Sequence, residues 1–282
     1  MEKKPGFKIH QVKSFTTNQT ILLSEKAIRK KEETTSFLKT AGEVTLFIFR
    51  TFREAILPPY EWREFTRQCF EIGNKSLPLV AITGMIMGLV LTIQSRPVLE
   101  DFGAESWLPA MVSVSLIREI GPVITALICA GKVGSGMGAE LGSMKVTEQI
   151  DAMEVSATNP FKYLIATRVV AVTLMLPLLV FFSDACGLFG SFLGVNIKGD
   201  VQFVLYFSRA ISAIEFSDFI PATIKSVFFG LAIGLVGCYK GYNAGRGTES
   251  VGKASNSAVV TASLMVFVID MIAVQVTDIL TR

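Results

Sequence analysis

Several charged residues interrupt otherwise apolar stretches of the sequence, and four of them could pair with one another: Arg118, Glu119, Lys225 and Asp270. An ionisable side chain near the middle of a membrane costs roughly 3 kcal/mol on insertion scales, so it usually has a partner or faces a water-filled cavity. Adjacent residues of a helix point about 100° apart, so Arg118 and Glu119 need different partners. We expect Lys225 to pair with Glu119. Asp270 is then the predicted partner of Arg118.

Two interpretations of this charged quartet stay open. The four side chains could form a static ion-pair network that locks helices together. They could instead line a polar cavity, or rearrange as a coupling element during transport. In the second interpretation, an ion-coupled carrier that uses the quartet as a proton relay is the alternative to an ATP-driven transporter.

A second chemical pattern is an acidic stripe within residues 147–158. Its members are three residues apart: Glu148, Asp151 and Glu154. Apolar side chains fall on another side of the same predicted helix: Ile150, Met153 and Ala157. Thr147 is the predicted N-cap, and Asn159-Pro160 ends the helix. A short helix of this kind suits docking in the groove of a partner protein, although it could also be a plain turn helix.

The residue types and their spacing do not support a metal site, thiol chemistry or a nucleotide-binding loop. The single histidine, His10, lies in a polar segment, and the four cysteines are more than fifty residues apart with no CxxC pair. Gly131-Lys132 does not start a phosphate-binding loop, because valine follows the lysine and the preceding glycine spacing is absent. The sequence therefore predicts no catalytic residue, no metal site and no cofactor in this chain. If ATP drives the protein, a separate subunit must hydrolyse it.

The elements that hold these residues follow from how charge is distributed along the chain. Half of the 282 residues are hydrophobic and 18% are charged, and 14 of the 27 Lys and Arg lie in residues 1–76. This segregation excludes a disordered chain and an ordinary soluble α/β enzyme, and it favours an integral membrane domain behind a polar segment. The net charge of +3 gives no reason to expect a nucleic-acid partner.

The chain is predicted to have three parts, all helical. Residues 1–36 form a polar cytoplasmic tail without the apolar core of a signal peptide. Residues 37–75 form interfacial amphipathic helices, and residues 76–282 form the membrane domain. Its five predicted transmembrane helices are 76–95, 108–134, 163–195, 221–240 and 256–280, each about long enough to cross a bilayer.

Lysine and arginine orient these five spans. With the N-terminus in the cytoplasm, ten Lys and Arg flank the spans on the inside and four on the outside. Glycines also recur at four-residue steps within the spans, for example at Gly84 and Gly88, which lets helices approach closely.

The central block of the sequence resembles one transporter family. Arg118-Glu-Ile-Gly-Pro122, Ala139-Glu-Leu-Gly142 and the stretch from Thr147-Glu-Gln-Ile-Asp151 to Asn159-Pro160 are similar to the MlaE/YrbE permeases. These are membrane subunits of lipid ABC transporters that work with MCE-domain proteins. The resemblance extends over roughly residues 40–280.

The resemblance implies a homodimer in the bacterial inner membrane, with interfacial helices and five spans per copy. It implies a coupling helix at 147–158 that contacts a separate ABC ATPase, which binds the ATP and Mg²⁺. The implied contact residues are Glu148, Asp151, Met153 and Glu154. A periplasmic MCE-domain protein and a small STAS-domain protein are further implied partners. The implied cargo is phospholipid, moved between inner and outer membranes to maintain outer-membrane lipid asymmetry.

The family also implies a lipid pocket between the two copies, with walls from the first and last spans. The candidates in this sequence are Leu89, Ile93, Gln94, Pro97 and Val274. Their largely apolar character suits acyl chains. Arg96 departs from relatives that have an aromatic residue there.

Overall fold

The computed structural model describes residues 38–197 and 199–281, apart from the side chains of the last two positions. Every regular element within these residues is a helix, so the predicted all-α class is confirmed. The predicted tail at 1–36 lies outside the described residues. The first residue of the predicted interfacial segment and the last residue of the predicted membrane domain also lie outside them.

The chain divides into two units, Met1–Arg50 and Thr51–Arg282. In the first unit the described residues are helical and expose apolar side chains, among them Leu46 and Phe49. The second unit begins with helical residues 51–56 and contains everything that follows. Exposed apolar side chains on a helix are what an interfacial helix presents to lipid, and this interfacial placement stays a prediction.

Among the described residues, five helices are long and apolar enough to cross a membrane, the number that the sequence predicts. We call them the first to fifth span helices: Trp62–Asp101, Glu105–Val146, Phe161–Asn196, Phe216–Tyr242 and Thr248–Ile279. The third span helix is the most buried of the five, and the fifth span helix is the least buried. The fifth therefore exposes a long apolar surface. Such a surface needs lipid or another protein against it.

The first span helix is longer than predicted. It runs unbroken over Trp62–Asp101, so residues 62–75 form its first turns rather than a separate interfacial helix. Charged side chains stabilise these turns at helical spacing, since Arg67 lies 3.4 Å from Glu64 and 3.6 Å from Glu71. Charged residues end an apolar stretch of sequence, but a helix can continue through them.

The second span helix contains two π-helical turns, at Leu116–Ile120 and Ala130–Gly134, and continues to Val146. A third π turn, Phe161–Ala166, opens the third span helix. Such turns insert an extra residue, rotate the following side chains and often occur at functional sites. The first of them contains Arg118 and Glu119.

Glycines bring the first and third span helices together. A Cβ added to Gly88 would collide with the backbone of Gly187, and one added to Gly84 would lie 2.5 Å from the Ser183 carbonyl oxygen. Contacts advance in the same direction along both helices, so the two run parallel. The predicted close approach at Gly84 and Gly88 is therefore present.

A short helix that the sequence analysis did not predict, Phe203–Ser212, connects the third and fourth span helices. Its fully buried Tyr206 donates a hydrogen bond to Ser191 Oγ at 2.6 Å. Ser191 Oγ also lies 2.5 Å from Thr92 Oγ1. A chain of three hydroxyls thus ties this helix to the third and first span helices.

Candidate functional site

Lys225 is the centre of an ionic cluster inside the membrane domain. Its Nζ lies 2.6 Å from Glu119 Oε2 and 3.1 Å from Asp270 Oδ1, and its side chain is only 5% exposed. The three residues come from the fourth, second and fifth span helices, so one ammonium group joins three helices. Charged hydrogen bonds of this length offset part of the cost of removing an ammonium from water.

Arg118 does not pair with Asp270, so this predicted pair is wrong. Its Nη1 lies 3.7 Å from Asp218 Oδ1, and its side chain is 53% exposed. Arg118 and Glu119 are adjacent on a helical turn and therefore point to different sides. Glu119 reaches Lys225 as predicted, and Lys225 also takes the carboxylate of Asp270. The charged quartet is thus a buried lysine with two carboxylates, beside a more exposed arginine.

Asp218 was missed because it precedes the predicted start of the fourth span at residue 221. The fourth span helix begins at Phe216, with Glu215 as its N-cap, and the Asp218 side chain accepts a hydrogen bond from the Glu215 backbone. An acidic pair three residues apart before an apolar run is a capping-box pattern that could have located both the helix start and Asp218.

Two residues of the ionic cluster, Glu119 and Lys225, line a small polar pocket beside a larger apolar one. The polar pocket, about 50 Å³, is lined by Arg118, Glu119, Asp218 and Lys225, together with Val274. The apolar pocket, about 570 Å³, lies between the fourth and fifth span helices and shares Lys225. Its other walls are almost entirely apolar: Ile220, Ile224, Phe228, Ile269, Ile272 and Val276. Charges at one edge of an apolar cavity suit an amphiphilic ligand.

Within the part of the chain that the structure describes, three of the predicted lipid-pocket residues line two different cavities. Ile93 and Pro97 line a cavity of about 90 Å³ together with Arg96, whereas Val274 lines the polar pocket. Gln94 is exposed and Leu89 is half-buried on the first span helix. A pocket that combines residues of the first and last spans from two copies stays a prediction.

A short exposed helix lies between the second and third span helices. It covers Gln149–Val155, which is shorter than the predicted 147–158. Glu148 and Ala157 bracket it in the left-handed region, with φ of 59° and 58°. Thr147 is not its N-cap, because the Thr147 hydroxyl donates back to Ser143 O at 2.8 Å.

Ile150 and Met153 of this exposed helix are more buried than its acidic side chains. Ile150 is fully buried and anchors the helix, whereas Met153 is only half-buried. Glu148, Asp151 and Glu154 are exposed. Asp151 accepts a hydrogen bond from Lys145 Nζ at 2.8 Å, so this member of the acidic stripe has a partner within the chain. The stripe can receive a basic protein surface.

Known proteins resemble the chain over most of its length. A family model described as Permease MlaE matches residues 65–276. A probable ABC transporter permease of Rickettsia typhi is 38% identical over 237 residues, which cover 84% of this chain and 92% of that protein. The intermembrane phospholipid transport system permease protein MlaE of Haemophilus influenzae is 38% identical over 208 residues, 73% and 79% of the two chains. A probable ABC transporter permease of Synechocystis is 34% identical over 206 residues, 73% and 78%.

Proposed function

Because this chain belongs to the MlaE permease family, we propose that it is the membrane subunit of an ABC transporter that moves phospholipid between the inner and outer membranes. Transport of this kind maintains the lipid asymmetry of the outer membrane. The relative from Haemophilus influenzae, named for intermembrane phospholipid transport, supports the cargo. The observation that carries the proposal is the family match over residues 65–276, which contain the ionic cluster and the short exposed helix.

The exposed helix Gln149–Val155 is the proposed contact for a separate ABC ATPase, which binds ATP and Mg²⁺. Its short length, its buried Ile150 and its position between two long helices support a rigid lever, because force on it would reach both helices directly. Glu148, Glu154 and Met153 are the proposed contact residues. Asp151 is the fourth proposed contact residue, and it also forms an ion pair with Lys145 of this chain.

The proposed cargo site combines the ionic cluster with apolar surface. An acyl chain needs apolar walls and a headgroup needs charged partners, and the two adjoining pockets supply both chemistries. We propose that a second copy of this chain completes the site, with Leu89, Ile93, Gln94 and Pro97 of the first span opposite Val274. The exposed apolar side chains of the fifth span helix support such a homodimer.

We place the protein in the bacterial inner membrane with its N-terminus in the cytoplasm, on the basis of the lysine and arginine asymmetry. A periplasmic MCE-domain protein is then the proposed partner on the outer side, and a STAS-domain protein a further subunit on the ATPase. The ion-coupled carrier has less support, because the family match favours an ATP-driven permease.

Co-purification tests the proposal. The tagged chain, extracted in mild detergent from a strain that encodes all components, is expected to bring down an ABC ATPase and an MCE-domain protein, with phospholipid detected by mass spectrometry. Glu148→Lys with Glu154→Lys should release the ATPase, while Asp101→Lys, a charge reversal at the other end of the spans, should retain it. Recovery of neither partner would reject the transporter. Full ATPase recovery with the double variant would reject the contact.

A further inference from the structure

A cavity of about 190 Å³ opens where the first and third span helices begin. Three charged side chains line it: Glu54, Glu61 and Lys162. Aromatic and aliphatic groups, including Trp62, Phe65 and Val170, form the rest of the wall. This volume far exceeds the roughly 10–15 Å³ that one water needs, yet it is too small for a whole lipid. The residues that line the cavity are distant in sequence from Lys225, and none of them belongs to the ionic cluster.

The charges of this cavity are not neutralised by one another. Glu54, Glu61 and Lys162 form no ion pair with any residue that the structure describes. Lys162 Nζ donates to Leu57 O at 2.5 Å, which leaves further N–H donors of the ammonium. Glu54 accepts one hydrogen bond, from Asn159 Nδ2 at 3.1 Å. A cation and two carboxylates therefore face one small space, each able to take another partner.

The surroundings of the cavity have the composition of a membrane interface. Ile56, Trp62 and Phe70 are 69%, 65% and 68% exposed, and the tilted rings of Tyr60 and Trp62 have centroids 5.8 Å apart. Tryptophan and tyrosine concentrate at the headgroup level of bilayers. Exposed aliphatic side chains beside them favour lipid over water as the neighbour of this surface.

We propose that this cavity binds the headgroup of a zwitterionic phospholipid that carries a primary ammonium, as phosphatidylethanolamine does. The phosphate takes the free donors of Lys162, and the ammonium donates to Glu54 and Glu61. The acyl chains leave along Phe65 and Val170 into the bilayer. A headgroup without an ammonium leaves Glu54 and Glu61 without a cationic partner, and a quaternary ammonium has no N–H to donate. The site needs only a membrane location, and in the proposed orientation it faces the cytoplasmic leaflet.

The two tryptophans of the chain allow a test at this position. Trp107→Phe leaves Trp62 as the only tryptophan, directly at the cavity. The full chain is placed in phosphatidylcholine nanodiscs that contain phosphatidylethanolamine or phosphatidylglycerol with brominated chains, which quench tryptophan emission on contact. We expect phosphatidylethanolamine to quench Trp62 at lower mole fraction. Glu54→Gln with Glu61→Gln should weaken this preference by roughly fivefold, the effect of about one ion pair. Lys162→Gln should leave the preference largely unchanged, because both lipids carry the phosphate.

Two controls make the result specific to the cavity. Trp62→Phe leaves Trp107, at the other end of the first two spans, and should show no such preference. Lys253→Gln removes an exposed lysine paired with Glu249 and should leave Trp62 quenching unchanged. Equal quenching by both lipids, or an unchanged preference in the variant with Glu54→Gln and Glu61→Gln, would overturn the proposal. Displacement of the lipid by an equal concentration of soluble phosphoethanolamine would also overturn it, because the ligand would then be the free headgroup.

Discussion

Lys225 Nζ lies 2.6 Å from Glu119 Oε2, so a cation of the fourth span helix meets a carboxylate of the second inside the membrane domain. Asp270 of the fifth span helix contacts the same ammonium at 3.1 Å. One lysine thus compensates two carboxylates from two other helices. Glu119 and Asp270 would repel each other without the lysine, so the charge of Lys225 is what lets both carboxylates lie here.

Lys225→Met should destabilise the protein more than any other single change in the ionic cluster. The variant leaves two carboxylates close together without their cation, at a cost of about 1–3 kcal/mol, less than for a fully buried pair because Glu119 is 42% exposed. Thermal unfolding of the purified protein in detergent measures the loss. Adding Glu119→Gln and Asp270→Asn to Lys225→Met should restore most of it. An unchanged unfolding temperature for Lys225→Met would contradict the arrangement.

The Arg118–Asp218 contact should contribute little to stability. Its atoms are 3.7 Å apart and the Arg118 side chain is 53% exposed, so solvent screens the pair. A double-mutant cycle with Arg118→Gln and Asp218→Asn should give a coupling energy of at most about 1 kcal/mol. A coupling as large as that between Lys225 and Glu119 would show that water does not reach Arg118.

Gly88→Ala should separate the first and third span helices. The added Cβ would collide with the Gly187 backbone, which cannot move without shifting its helix. We expect a loss of about 1–3 kcal/mol, as for overpacked cores. Gly252→Ala is the matched control, because no atom lies within 4 Å of the Cβ that it adds and alanine favours a helix. If both variants unfold like the wild type, the helices are not in close contact at Gly88.

Ser191→Ala should destabilise the region around the short helix Phe203–Ser212 more than Tyr206→Phe. Alanine at 191 removes the shared partner of two buried hydroxyls, those of Tyr206 and Thr92, whereas Tyr206→Phe removes one donor and leaves Ser191 next to Thr92. Thr92 keeps its hydrogen bond to Gly88 O at 2.8 Å, so the unpaired group is the buried Tyr206 hydroxyl, at a cost of about 1–3 kcal/mol. Hydrogen exchange of this short helix measures the difference. The reverse order would mean that the hydroxyl chain does not hold it.

Hydropathy was sufficient to predict the five spans, because the requirement for apolar side chains over about 20 residues is local to each segment. It placed their ends less well. Residues 62–75 continue the first span helix through ion pairs such as Arg67–Glu71, and the second continues to Val146. Helix ends depend on hydrogen bonding and capping, whereas predicted spans end where charge begins.

Residue types and their spacing were enough to show which groups are available: few charges within apolar stretches, an acidic stripe between spans two and three, and small residues at four-residue steps. From these it was possible to predict that Glu119 reaches Lys225. The contacts of Asp270 with the same lysine and of Arg118 with Asp218 became visible only in the packed helices. The physical reason is that partner choice depends on how helices rotate and pack against one another. A π turn at Leu116–Ile120 changes that rotation without leaving a mark in composition or periodicity.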